Sequence, residues 1–233
     1  MQRLTKSASI DVFTRSCDLT RGNAAATGDR KAHHWDESWG WPLDEKHMDR
    51  VYTHAMLAGM SQDADNRQRL APEVQSVPWV ARYLPEAGNK EVPILSRQRY
   101  REILRHVWLR GADSMQIFNA LAWPQGTIAT EEVEDAVAIY DEMLAYRRFL
   151  EEGWIMNTDV PGIRHDGPVW SGLRLEKEAV VRAFTQAEHP VKFTIAPWDQ
   201  GPTLELVATP TGTTYYLDRE KDRIKVERRQ GGP

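Results

Sequence analysis

The hydrophobic pattern of this chain changes once, at Gly153, and that change limits the possible folds more than any other feature. Up to Gly153, apolar residues recur at three- and four-residue spacing, with short apolar runs between the helical stretches. After it come runs of alternating or β-branched residues, broken by Gly, Pro and Asp about every ten residues. The pattern divides the 233 residues into a βα region at 1–153 and an all-β region at 154–233. That length is enough to bury a real core.

Composition removes several classes of function. With 41% apolar and 27% charged residues, the chain is globular rather than disordered. A net charge of −4 argues against a nucleic-acid partner, which calls for a strongly basic face. The one basic run, Arg97-Gln98-Arg99-Tyr100-Arg101 with Arg105, shares its helix with Glu102 and reads as a solvated face. Cys17 is the single cysteine, so no internal disulfide is expected. No apolar run approaches the ~20 residues of a membrane span, and no membrane partner is expected. No signal peptide is visible in the first thirty residues, and the compartment stays open. The nine tryptophans are the compositional outlier, fitting either sugar-binding platforms or an aromatic core.

The elements follow from local signals. Ile10-Asp11-Val12-Phe13 reads as a short strand, and 33–42 is too rich in aromatics and breakers to be regular. A helix begins after Asp44, carries Met48, Val51, Tyr52 and Ala55 on its apolar stripe, and is expected to end at Gly59. Residues 70–80 read as a strand running into a loop, limited by Pro72 and Pro78. Ser96 caps a helix whose buried face is Tyr100, Ile103, Leu104, Val107 and Trp108, with Gly111 at its end. Residues 114–119 form a strand. A last helix begins at Thr130, with Val133, Val137, Tyr140 and Leu144 as its inner stripe and Gly153 as its stop. Strand, helix, strand, helix predicts parallel pairing with right-handed crossovers. Beyond 153, strands are expected at 169–175, 179–186, 191–196, 203–208, 213–217 and 223–227, a small antiparallel sandwich.

Four stretches carry a resemblance to a known group of proteins. They are the Trp-rich loop His33-His34-Trp35-Asp36-Glu37-Ser38-Trp39-Gly40-Trp41-Pro42, and Arg69-Leu70-Ala71-Pro72-Glu73-Val74-Gln75. The third runs from Tyr100-Arg101-Glu102-Ile103-Leu104-Arg105-His106 through Arg110-Gly111-Ala112-Asp113 to Met115-Gln116-Ile117-Phe118-Asn119. The fourth joins Ala179-Val180-Val181-Arg182-Ala183-Phe184 to Ala208-Thr209-Pro210-Thr211-Gly212-Thr213-Thr214-Tyr215. Together they resemble the C-terminal portion of a TIM-barrel glycoside hydrolase followed by the β-sandwich that commonly packs against such barrels. The resemblance covers about 70–230. It makes 114–119 the eighth barrel strand and about 70–76 the seventh. A full barrel takes ~250 residues. The resemblance therefore implies an incomplete barrel, with missing N-terminal units or self-association covering its open strands.

Hydrolysis of a glycoside needs two carboxyl groups flanking the bond, and barrels place them at the C-terminal ends of strands. The resemblance assigns Glu73 the nucleophile's position at the end of the seventh strand; a surface-loop glutamate is the alternative. Asp36 and Glu37 beside Trp35, Trp39 and Trp41 form a coherent sugar-contact loop, or a loop pinned by buried tryptophans. Asn119, followed by Trp123, is placed to hydrogen-bond substrate at a strand end, or to cap a loop. His33, His34 and Asp36 lack the further ligands that a metal requires. With no glycine-rich phosphate loop, no cofactor is expected. His106 reads as a packed or surface histidine. The expected function is therefore action on a carbohydrate, with a non-catalytic carbohydrate-binding or interaction protein as the alternative.

Overall fold

Ser96, in extended conformation, accepts the Arg99 N–H at 3.2 Å and opens the helix Arg97–Leu109 (α2). Gly111, at φ 87°, supplies the left-handed residue that ends it. Helices and strands of the described residues pack against α2. The computed structural model describes residues 7–8, 45–70, 74–80, 82, 95–117, 127–160, 162, 166–220 and 223–229. The Ile10-Val12-Phe13 strand and the loop 33–42 lie outside them.

Three further helices are present among the described residues. Glu45–Leu70 is α1, Thr127–Leu144 is α3 and Arg147–Glu152 is α4. The expected stop of α1 at Gly59 is overturned: the helix runs eleven residues further, to Leu70. A mid-helix glycine costs only about 1 kcal/mol. Continuing the helix buries Met60 and Ala64 against its neighbours, which outweighs that cost. The last helix, by contrast, is interrupted by a turn at Ala145 and Tyr146 between α3 and α4.

Two short parallel pairs lie in this half, β1 (Ser7–Ala8) with β2 (Gln75–Ser76) and β3 (Trp79–Val80) with β4 (Gln116–Ile117). The pair β3–β4 is joined through α2, so the expected parallel pairing across a crossover helix is present. After Gly153 every pairing between strands is antiparallel. Trp154–Ile155 (β5), Pro168–Arg174 (β6), Glu178–Thr185 (β7), Thr213–Glu220 (β10) and Arg223–Arg229 (β11) form one sheet in the order β11-β10-β7-β6-β5. Val191–Ile195 (β8) and Leu204–Ala208 (β9) form a separate hairpin. The six strands expected from alternation are all found, and the chain is a helix-and-strand region followed by antiparallel β.

Strand alternation decides what each face of the five-stranded sheet covers. Ala179, Val181, Tyr215 and Leu217 point to one side, where the β8–β9 hairpin brings Ile195, Leu206 and, from its connecting loop, Trp198. Polar tips in this layer are satisfied: Tyr215 Oη donates to Val207 O at 2.7 Å, and Trp198 Nε1 to Leu175 O at 3.1 Å. Leu173, Val180 and Tyr216 point to the other side and join the core of α2, including Ile103, Leu104 and Val107. One hydrophobic core therefore spans both sides of Gly153.

Candidate functional site

The sheet-facing side of α2 carries a buried charged cluster. Glu102, His106 and Arg110 follow each other at four-residue spacing, so they form one stripe along the helix. Ser171 and Arg182 are directly opposite each other in the β6–β7 register and present their side chains to that stripe. Arg182 grips Glu102 at two points, Nε to Oε1 at 2.8 Å and Nη2 to Oε2 at 2.6 Å. Arg105 adds a contact at 3.4 Å to Glu102 and a two-point pair with Glu142 of α3, at 2.9 and 2.7 Å.

Below Glu102 the stripe continues as a hydrogen-bonded relay. His106 Nε2 lies 3.3 Å from Glu102 Oε1, and Nδ1 lies 2.8 Å from Ser171 Oγ. Burial pushes the imidazole down to about 4, against an ordinary 6.5, so it is neutral at pH 7. The Arg182 guanidinium holds the Glu102 carboxyl well below the usual range despite burial. One proton assignment satisfies the chain: Nε2–H donates to Glu102, Ser171 O–H donates to Nδ1, and Arg110 Nε–H donates to Ser171 at 2.8 Å. Serine, histidine and carboxylate in a row are the parts of a nucleophilic triad. Here Ser171 and His106 are both fully inaccessible. Ser171 is also held by a cation. In this position the relay is a structural clamp between helix and sheet.

A second perturbed carboxyl lies where α2 and α3 begin. Arg82, just past β3, donates its N–H to Glu132 Oε1, its Nε–H to Leu95 O at 3.0 Å, and pairs with Glu131. Glu132 is fully buried, its Oε2 has no hydrogen-bond partner, and burial pushes it up to about 7. It therefore gains or loses its proton around neutral pH. Such perturbed groups concentrate at functional sites, although structural networks produce them too.

Two concave surfaces flank the clamp. One, of about 530 Å³, is lined by Asp113, Glu151, Glu152, Leu150 and Trp154. Trp154, 70% exposed, has the Arg174 guanidinium 5.9 Å from its ring centre. The other, of about 400 Å³, has Arg110 in its lining beside Trp170 and Phe193.

All the site residues expected from sequence fall outside the described residues: Trp35, Asp36, Glu37, Trp39, Trp41, Glu73, Asn119 and Trp123. Their neighbours are placed: Val74 to Ser76 lead into β2, and β4 ends at Ile117. The expected solvated face of α2 is overturned for Glu102 and Arg105, which are 3% and 8% exposed. Acids of α3 and a cation of the sheet neutralise them there, so the face needs no solvent. Arg97 stays exposed at the start of the helix and pairs with the buried Asp135 at 2.8 Å. His106 is packed, as one of its two readings had it. A signal for the clamp did exist: Arg182 interrupts the apolar strand Ala179-Val180-Val181-Arg182-Ala183-Phe184, and a buried strand carries a charge only when a partner waits for it.

Among the described residues no group of three or more His, Cys, Asp or Glu is disposed to hold a metal, and no helix is long and apolar enough to cross a membrane. No protein family, curated protein or solved structure matches this chain.

Proposed function

We propose that the chain acts on a carbohydrate as part of a glycoside hydrolase-like protein, contributing βα units of a TIM barrel and the β-module packed on them. The observation that carries this reading is the parallel pairing of β3 with β4 through α2, followed by α3 and then by an antiparallel sheet seated on α2. A barrel's final units and its accessory sandwich have that order. In this reading Glu73 provides the carboxylate, Asp36 and Glu37 are auxiliary carboxylates, and Trp35, Trp39, Trp41, Asn119 and Trp123 contact sugar. The remaining barrel units come from outside these residues or from self-association.

A second reading, carbohydrate binding without catalysis, is favoured by Trp154. An edge-strand indole 70% exposed, lining a concavity with Glu151, Glu152 and Asp113, offers a flat apolar face and hydroxyl acceptors together. Product release separates the two. A hydrolase liberates reducing ends from oligosaccharides and loses that activity in Glu73→Gln while keeping its fold. Unchanged release in Glu73→Gln removes this residue from the mechanism, and sugar binding without any release assigns the chain to the second reading.

A further inference from the structure

Arg110 differs from the other buried arginines of the clamp. Arg105 and Arg182 face carboxylates, whereas Arg110, only 1% exposed, donates to four uncharged oxygens. These are Ser171 Oγ at 2.8 Å, Asp159 O at 2.9 Å, Trp170 O at 3.2 Å and Ser61 Oγ. A guanidinium has five N–H groups, so one is left without a partner among the described residues. No carboxylate among them comes within ion-pair distance of it. Burial pulls its pKa down to about 10, and the Asp159 carboxylate is the one acid that opposes this. A cation buried without its counter-ion is unfavourable unless an anion arrives to neutralise it.

The surroundings indicate what kind of anion. Arg110 lines the 400 Å³ cavity together with Asp159, Val169, Trp170, Phe193 and Thr194. Trp170 and Phe193 are half-buried, with ring centres 6.4 Å apart and planes tilted by 32°. They supply aromatic surface to a lining whose one cationic side chain is Arg110. The volume lies in the range of small-ligand pockets.

We propose that this cavity binds a carboxylated sugar, a hexuronate residue, with its carboxylate on Arg110 and its C–H face on Trp170 and Phe193. The sugar ring rests on the carbohydrate reading above; the carboxylate rests on Arg110 alone. Asp159, at the rim, accepts a ring hydroxyl but repels the carboxylate, so its charge weakens the affinity.

The test is titration of the intact chain with D-glucuronate, D-glucose, acetate and a neutral oligosaccharide series, followed by tryptophan fluorescence. The expected result is saturable binding of glucuronate, with glucose and acetate each at least roughly tenfold weaker. Phe193→Ala, a half-buried position that leaves the clamp intact, should weaken glucuronate roughly tenfold. Asp159→Asn should tighten it, since a rim charge of the wrong sign is removed. Glucose binding as tightly as glucuronate overturns the proposal, as does acetate binding equally with no effect of Phe193→Ala. Weaker glucuronate binding in Asp159→Asn also overturns it. Binding of neutral oligosaccharides without glucuronate sinks this inference and leaves the carbohydrate reading standing, whereas glucuronate and acetate binding alike with no neutral sugar sinks both.

Discussion

Arg182 in β7 and Glu102 in α2, eighty residues apart, close a two-point ion pair at 2.8 and 2.6 Å between the helix layer and the sheet. Both are almost inaccessible, at 2% and 3%. Removing one partner of such a pair costs about 3–5 kcal/mol, because the other charge stays buried. The two truncations should not be equal. Glu102→Ala leaves Arg182 with only the Thr214 hydroxyl and the Thr211 carbonyl, whereas Arg182→Ala leaves Glu102 with Arg105 and His106. Urea unfolding should show Glu102→Ala as the more destabilising of the two.

Gly212 guards the same pair from the turn between β9 and β10. Its φ is 79°, and a Cβ there would run into Arg182 Nη2 and Glu102 Oε1. Gly212→Ala therefore combines left-handed backbone strain with a displaced ion pair, and should cost about 2 kcal/mol or more. In the background of Arg182→Ala much of the steric part should vanish. A double-mutant cycle reads that coupling.

Two buried groups give stability opposing dependences on pH. Glu132 is held up at about 7 against an ordinary 4.5, so its contribution is complete below pH 4.5 and is lost as pH rises to about 7. His106 is pushed down to about 4 from 6.5, so its contribution is complete above pH 6.5 and is lost as pH falls to about 4. Between pH 4.5 and 6.5 the two slopes cancel. Glu132→Gln should uncover a loss of about 1.4 kcal/mol per pH unit on acidification across that window. His106→Gln should uncover the opposite slope. Chemical denaturation at pH 4.5, 5.5 and 6.5 measures both.

The face of α3 is a correction with a consequence. Spacing predicts Val133, Val137, Tyr140 and Leu144 as its inner stripe, yet the last three are 54%, 48% and 43% exposed, and only Val133 is half-buried. The inner face instead carries Glu132, Asp135, Ile139 and Met143. Val137→Lys and Leu144→Lys should each change stability by no more than about 0.5 kcal/mol. Met143→Ala should cost about 2–5 kcal/mol. Thermal melts of the three variants decide which face is buried.

That reversal shows where sequence reasoning stopped. Apolar periodicity and capping signals located α2, its Ser96 cap, its Gly111 terminus and the six strands from β6 to β11, but not the two-residue edge strand β5. Periodicity failed on α3 and on the polar, sheet-facing side of α2, where ion pairs take the place of apolar contact. Asp135 is buried by Arg97, and Glu102 by Arg182. A pattern that equates charge with solvent inverts such a helix. The pairing that rescues each charge is long-range, and spacing along one helix does not contain it. The end of α1 was misplaced for a related reason: a packed glycine inside a helix has the same letter as a terminal one. The proposed catalytic and sugar-contact residues, Glu73 and the 33–42 loop among them, lie outside the described residues, and their assignment rests on the resemblance.

Carbohydrate recognition is the central claim, and the most direct measurement is tryptophan fluorescence of the intact chain titrated with a panel of neutral and acidic oligosaccharides. Far-ultraviolet circular dichroism on the same sample confirms that the protein is folded. The account predicts a saturable change with at least one class of oligosaccharide, diminished in Trp154→Ala or in Phe193→Ala. A folded protein whose fluorescence responds to no member of the panel would contradict it.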